Sequence, residues 1–484
     1  MQHYRVAVIG AGISGLCAAI DLKRAGIGPF IVLEKGAGVG GTWRENTYPG
    51  VECDVPSHLY SFSFELNPAW SKAFSPGAEI CAYLRHCADK YDITGSILFD
   101  TAVGSVTHTG GRWLIEAVDG RRWSADAVIS GVGGLHTPNI PDFPGMASFR
   151  GAVFHTARWR HDVALDGKRI ALVGTGATSV QCAPALAAGA ACLTVFQRTP
   201  VWVSPKSNPV TDPAEIACLR ADPALLRKKR WEHWKGWEAT GLEMVTEGSR
   251  LNRLAEIRAR EHIRSQVDDP DLVAALTPSY NYTCKRPTIS NDYYPIFNRP
   301  TVRLVTQGVA RLAEDGVVAA DGSHHPADVV VLATGFKAFD ITNEIAVVGD
   351  GGVSLADAWR DQVMSYRTVM VPGFPNFFVL LGPNTAGLTS TYQMIESASR
   401  FVTGALRYLD DNGLAAMSPR AIEAERFGSA VQRAFSKTTQ NKGCVSWWSG
   451  GSGGSNHVMW PQSSVQYRMM MAEFVPSHFE FTAR

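Results

Sequence analysis

The sequence predicts an α/β fold: two Rossmann-like dinucleotide-binding domains, the first interrupted by the second, with an inserted helical segment. Three observations predict it. Two stretches, residues 5–34 and 169–198, repeat one design of apolar strand, glycine-rich turn, helix and second strand. Each is about 30 residues long, the size of one β-α-β crossover. Each is followed downstream by a further apolar strand that runs into glycine, Ala127-Val-Ile-Ser130 before Gly131 and Val329-Val-Val-Leu332 before Gly335. Residues 213–275 are instead rich in Arg, Lys, Glu, Ala and Leu, with Trp231, Trp234 and Trp237 at three-residue spacing, and read as a helical insertion.

The first unit opens on the strand Tyr4-Arg-Val-Ala-Val-Ile9, turns through Gly10-Ala-Gly12-Ile-Ser14-Gly15 and returns on Phe30-Ile-Val-Leu33. In such a turn the first glycine permits the tight bend. The second lets backbone approach a pyrophosphate, and the third brings helix against strand. The helix N-terminus then offers unbonded N–H groups and the positive end of its dipole to the phosphates. The second unit has the strand Ile170-Ala-Leu-Val173, the turn Gly174-Thr175-Gly176-Ala-Thr-Ser179 and the strand Leu193-Thr-Val-Phe196, with small Ser179 in the third glycine's place. Where the two second strands end, Glu34 and Arg198 occupy matching positions. A carboxylate there accepts from ribose hydroxyls, whereas a guanidinium pairs with a 2′-phosphate. Unit one is therefore expected to hold the adenosine of FAD and unit two NADPH, a permanently bound flavin served by a hydride donor. From spacing alone, Arg198 also fits a solvated strand-end charge.

The rest of the chain arranges itself around these units. The expected division is 1–140 with 330–484 as the FAD-binding domain, 150–212 with 276–329 as the NADP-binding domain, and 213–275 as the insertion. Pro138-Asn-Ile-Pro-Asp-Phe-Pro-Gly145 reads as the interdomain linker and Gly450-Gly-Ser-Gly-Gly-Ser455 as a flexible loop. With 484 residues, 45% hydrophobic and 19% charged, the chain can fill two or three cores, and a net charge of +1 calls for neither nucleic acid nor an anionic membrane as partner. No apolar run approaches the ~20 residues of a membrane span. The N-terminus enters its strand without the pattern of a signal peptide. Nine cysteines, odd in number and never spaced as CxxC, argue against a disulfide framework, a zinc site or a dithiol reductase. The expectation is a reduced, cytoplasmic protein without a metal, either monomer or homodimer.

Between the units lies Phe149-Arg-Gly151-Ala-Val-Phe-His155-Thr156-Ala-Arg-Trp159. It resembles the FxGxxxHTxxW fingerprint of type I Baeyer–Villiger monooxygenases, within the flavin-containing monooxygenase superfamily. The family pattern continues with Pro or Asp, where this chain has Arg160. Upstream, Gly40-Gly-Thr42-Trp43-Arg-Glu-Asn-Thr-Tyr48-Pro-Gly50-Val-Glu-Cys-Asp54 is similar to the family's GGxWxxxxYPGxxxD signature at every specified position. Cys284-Lys285-Arg286-Pro287 resembles a CKRP-like segment, and Phe374–Pro383 and Cys444-Val-Ser-Trp447 also resemble family segments. The likeness runs from residue 4 to about 465, nearly the whole chain.

The resemblance implies an NADPH- and O2-dependent enzyme that converts a hydrophobic ketone to an ester or lactone through a C4a-peroxyflavin. It implies that Gly10, Gly12, Ser14, Gly15 and Glu34 bind the FAD adenosine and pyrophosphate, with Thr42, Trp43, Asp54, Tyr60 and Val103 around the rest of the flavin. Gly174, Thr175, Gly176, Ser179, Arg198, Thr199 and Lys285 would bind NADPH, and Trp447 would belong to a mobile segment near it. Arg286 matches the active-site arginine and Asp54 its partner carboxylate, the catalytic pair. His155 would lie at a domain junction without reacting.

The chemistry supports the pair independently. A guanidinium does not lose its proton, so it can stabilise a peroxide anion and a tetrahedral adduct, and a carboxylate beside it lowers the cost of keeping it desolvated. Taken alone, these residues have plainer readings: Asp54 as a turn residue, Arg286 with Lys285 as a solvated basic pair, His155 as a hydrogen-bonded structural histidine and the tryptophan stripe as helix packing. Competing functional readings are an N- or S-oxygenating flavin monooxygenase and a non-catalytic FAD/NADP redox sensor. Relatives of the former have a shorter FxGxxxH signature and usually lack the CKR arginine.

Overall fold

Both glycine-rich units form parallel β-α-β crossovers, and each is built into its own sheet. A computed structural model of the chain describes residues 1–338, 345–444, 446–449 and 455–484. The first unit is β1 (Gln2–Ile9), α1 (Ile13–Ala25) and β2 (Phe30–Leu33), followed by β3 (Ile97–Leu98), β4 (Val103–Thr109), β5 (Arg112–Ala117) and β6 (Arg122–Ser130). The chain then passes to β7 (Ala152–His155) and the second unit, β8 (Arg169–Val173), α2 (Ala177–Gly189) and β9 (Cys192–Phe196). After β10 (Val203–Ser204) come four helices, α3 (Pro213–Ala221), α4 (Pro223–Val245), α5 (Arg250–Gln266) and α6 (Pro270–Leu276). β11 (Thr288–Ile289), β12 (Val302–Val305) and β13 (Val329–Leu332) follow, then β14 (Ala346–Val348), β15 (Phe377–Val379) and the helix α7 (Thr391–Asp411).

The first sheet has eight strands in the order β14-β4-β5-β6-β1-β2-β3, with β15 also on β6. β6 serves two neighbours at its two ends: its first half pairs with β5, its last three residues with Phe377–Val379. The second sheet, β12-β9-β8-β13-β7, is parallel at every pairing. Parallel strands covered on both faces read as unbroken apolar runs, and Val6–Ile9, Ile170–Val173 and Val329–Leu332 are buried throughout.

β13 pairs with both β8 and β7. The boundary expected between residues 329 and 330 therefore moves past Leu332. An apolar strand followed by glycine marks where a domain ends, and the chain leaves the second sheet only after that strand is complete. Outgoing and returning chain run side by side here, with Pro138 bridged to Phe336 and Asn139 N–H donating to Gly335 O at 2.9 Å.

The insertion is helical for readable reasons. Asp212, Asp222 and Asp269 each cap the N-terminus of a helix whose first residue is proline, and Ser249 caps α5. Each cap contributes about 1 kcal/mol, and proline there gives up no hydrogen bond. The tryptophans at three-residue spacing drift around α4. Trp234 and Trp237 pack onto the main core, while Trp231 is 53% exposed beneath Lys235. Buried Arg230 anchors α4 to the first domain by donating to His58 O, Leu59 O and Ser61 Oγ at 3.0–3.1 Å. Among the described residues no helix is long and apolar enough to cross a membrane, and no three His, Cys, Asp or Glu side chains converge to hold a metal. The Gly450–Ser455 loop lies, but for Ser455, outside the described residues, as does Val445.

Candidate active site

At the first turn Gly10 has φ +94°, and a Cβ on it would stand 2.8 Å from Gly131 O; one on Gly15 would stand 1.7 Å from Gly10 O. Only glycine allows strand, turn and helix to close this tightly. α1 starts on Gly12 with no side-chain cap and no acid in its first turn, so its leading N–H groups are left for an anion. Gly41, at φ +53°, closes over the same turn: a Cβ on it would lie 3.0 Å from the Gly12 Cα. Thr42 begins the short helical turn that follows, and Ser14 is buried in the first turn of α1.

Glu34, only 4% exposed, accepts from Ala11 N–H at 2.7 Å, Gly36 N–H at 2.8 Å and Arg44 Nη2 at 3.3 Å. A carboxylate has roughly four acceptor positions, so one is left for a ribose hydroxyl. Trp43 Nε1 donates to Tyr60 Oη at 3.2 Å, and Tyr60 meets Tyr392 edge-on at 4.9 Å. The Val103 side chain packs into the sheet core with Ile9, Leu33 and Val128. These residues fit an adenosine, a pyrophosphate and a flat aromatic ring system.

The second cradle repeats the pattern. Gly174 has φ +111°, with a Cβ there 2.4 Å from Ala333 O, and α2 also starts on an uncapped glycine, Gly176. Thr175 Oγ1 donates to Thr199 O at 2.8 Å, tying the turn to the end of β9. Ser179 is fully buried, where the third glycine would hold helix to strand. Lys285 has its pKa pushed down by burial and then by the charge of Arg198. Two cations held within reach of each other fit a doubly charged 2′-phosphate between them.

Asp54 and Arg286 meet where the two domains join. Asp54 Oδ2 accepts from Arg286 Nη2 at 2.5 Å and from Nε at 3.1 Å. Attraction to Asp54 raises the Arg286 pKa against the opposing effect of burial, so the charge is permanent. The Arg286 side chain is 45% accessible, so the guanidinium keeps an open edge beside Asp54. Beside it, burial and then Asp54 push the Cys53 thiol up, and burial raises the phenol of Tyr60, so both stay protonated.

His155 closes β7 by accepting from Ala157 N–H at 3.1 Å, and its ring meets Phe336 of the returning chain at 5.8 Å. It sits where the outgoing and returning chain run side by side.

One expectation is overturned. Cys284 and Cys444 form a disulfide across 160 residues of sequence. Spacing rules register only cysteines close in sequence, and these two become neighbours only once the chain is folded. The bond joins the Lys285–Arg286 segment to the segment carrying Trp447, whose exposed ring lies 5.8 Å from that of Trp448. Sequence reading also passed over Gln181, Glu52 and Lys206, which together with Tyr48 of the signature tie the domains together around the pair. No motif names them, because each acts through a contact between distant segments.

Two glycine cradles, one with Glu34 and the other with Arg198 at the end of its second strand, and a guanidinium–carboxylate pair in the same chain fit a flavoprotein oxidoreductase fed by NADPH. The flavin-binding monooxygenase-like family profile matches residues 3–237. A protein of Streptomyces coelicolor named Baeyer-Villiger monooxygenase is 41% identical over 96% of this chain and 90% of its own length. Among solved structures, a cyclohexanone monooxygenase from Rhodococcus sp. Phi1 bound to NADP+ superposes with a TM-score of 0.90 at 28% identity, covering both chains fully. An oxidized steroid monooxygenase bound to NADP gives 0.89 at 30% identity, again over both full chains. The chain belongs to the Baeyer–Villiger monooxygenases, and its cofactors are FAD and NADPH.

Proposed function

We propose that this enzyme oxidises a hydrophobic ketone to an ester or lactone, with Arg286 as the catalytic residue and Asp54 as the residue that positions it. The observation that carries this reading is the Asp54–Arg286 ion pair at the junction of the two nucleotide cradles. FAD, held at the first cradle and reduced by NADPH at the second, supplies the activated oxygen. Arg286 keeps a fixed positive charge against the negative charge that develops on the reacting oxygens, where preorganised donors contribute most. Asp54 takes two N–H groups on one oxygen, which fixes the plane of the guanidinium and leaves its other edge for substrate. Trp43, Tyr60 and Tyr392 form an aromatic wall that keeps water from the flavin side.

In this reading Gly10, Gly12, Ser14, Gly15, Glu34 and Thr42 hold FAD, and Gly174, Thr175, Gly176, Arg198, Thr199 and Lys285 hold NADPH. The FAD domain comprises the chain before the linker and after Leu332, with the NADP domain between, interrupted by the helices at 213–275. We place the enzyme in the cytoplasm, where NADPH is replenished, as a monomer or homodimer.

A panel of linear, cyclic and aryl ketones tests the proposal. NADPH consumption should depend on a ketone, and mass spectrometry should find a product that carries one oxygen atom more than the ketone. Stimulation by amines or sulfides but by no ketone would refute it in favour of N- or S-oxygenation.

A further inference from the structure

The Asp54–Arg286 pair has a neighbour that closes a ring with it. Two residues before Asp54, Glu52 accepts from Lys206 Nζ at 2.5 Å, and Asn208 Nδ2 lies 3.2 Å from the same oxygen. Lys206 follows β10, and β10 pairs in register with β11, which starts two residues after Arg286. Lys206 N–H also donates to Asn291 Oδ1 at 2.9 Å, and Asn291 Nδ2 returns a bond to Lys206 O at 2.5 Å. Two ion pairs thus cross the domain junction side by side. They are joined on one side by residues 52–54 and on the other by the β10–β11 ladder.

The main chain of Glu52 is held as firmly as its carboxylate. Gln181, on the nucleotide-binding helix α2, donates through Nε2 to Glu52 O at 2.9 Å and accepts from Tyr48 Oη at 2.8 Å. Gly50 lies so close that a Cβ on it would come within 2.4 Å of Gln181 O. Lys206 is only 10% exposed, so it needs a counter-charge, and Glu52 supplies it. A second lysine, Lys72, also reaches Glu52 at 3.1 Å, but it comes from the first domain and does not cross the junction.

We propose that Glu52 is a positioning residue: with Lys206 it sets the register in which Asp54 meets Arg286. The inference rests on the catalytic reading of Arg286 given above. The ion pair across the junction aligns the segment that leads from Arg286 into β11, and the Gln181 contact aligns the loop carrying Asp54. Without Glu52 the guanidinium keeps its charge but loses its place. Reduction of FAD by NADPH continues, while activated oxygen is lost as hydrogen peroxide instead of reaching the ketone.

The test compares Glu52→Gln, Lys206→Met, Lys72→Met and Arg286→Ala holoenzymes. Two quantities are read: the anaerobic rate of flavin reduction by NADPH, and the ester or lactone formed per NADPH consumed. Glu52→Gln and Lys206→Met should each lower product per NADPH by threefold or more, with reduction within twofold of the parent. Lys72→Met should leave both unchanged, which separates a junction effect from a general loss of charge. Lys206→Met keeps the test open should Glu52→Gln fold poorly. Parent-like coupling in Glu52→Gln and Lys206→Met, or equal losses in all three lysine and glutamate variants, would overturn the inference. Arg286→Ala is the reference arm: if it still forms ester, the catalytic reading itself fails; if it fails to do so while Glu52→Gln couples normally, only the positioning role is lost.

Discussion

Replacing Asp54 by Asn is the sharpest perturbation short of removing the arginine. Asparagine keeps the shape and one acceptor oxygen but loses the charge that holds Arg286 at 2.5 and 3.1 Å. The amide still accepts from the charged guanidinium, so the loss is the charge–charge attraction, about 1 kcal/mol in bulk water to about 4 kcal/mol near a protein surface at contact distance. The side chains of Arg286 and Asp54 are 45% and 29% exposed, so solvent screening puts the effect at the lower end, about 1 kcal/mol. That corresponds to about a fivefold loss in the oxygenation rate. Stopped-flow measurement of NADPH-dependent flavin reduction beside product per NADPH is the assay. Ester formation by Asp54→Asn at the parent rate, or flavin reduction that falls as far as oxygenation, would show that Asp54 does not position Arg286 for oxygen transfer.

Three further predictions follow from the cradles and the cysteines. Arg198→Ala should raise the KM for NADPH by about tenfold while leaving that for NADH nearly unchanged, since a charge-assisted pair with the 2′-phosphate contributes roughly 1.5–3 kcal/mol; equal effects on both nucleotides would place Arg198 elsewhere. Glu34→Gln replaces a carboxylate that accepts from Ala11 and Gly36 N–H groups by an amide with one acceptor oxygen, so FAD should be lost on gel filtration, read as the ratio of flavin to protein absorbance. Thiol titration of the denatured chain should count seven thiols before reduction and nine after, given seven free cysteines and the Cys284–Cys444 bond; nine at the outset would show the bond absent.

Much of the candidate site's geometry was legible in sequence because it is local. Gly10, Gly12, Glu34, Gly174 and Arg198 lie within single β-α-β units, where spacing dictates geometry. The Asp-Pro pairs at 212, 222 and 269 announce helix starts in the same local way. What was not legible crosses between segments. Arg286 beside Lys285 reads as a solvated pair until the fold brings Asp54 to it from 232 residues away. The Cys284–Cys444 bond, the Glu52–Lys206 pair and the Gln181 contacts have no local signature, since each depends on how the two sheets dock. Trp231 parted from Trp234 and Trp237 because three-residue spacing on a 3.6-residue helix turns steadily away from one face. The displaced boundary at β13 has a related cause: the strand looks the same whichever sheet it joins.

Arg286→Ala, with the two half-reactions measured on one preparation, separates flavin reduction from oxygen transfer. Flavin reduction by NADPH should stay within about twofold of the parent and ester formation should fall by about 10²–10³-fold, the usual consequence of removing a preorganised donor. Continued ester formation would contradict the catalytic role of Arg286. So would the opposite pattern, loss of flavin reduction with oxygenation preserved when peroxide replaces NADPH and O2.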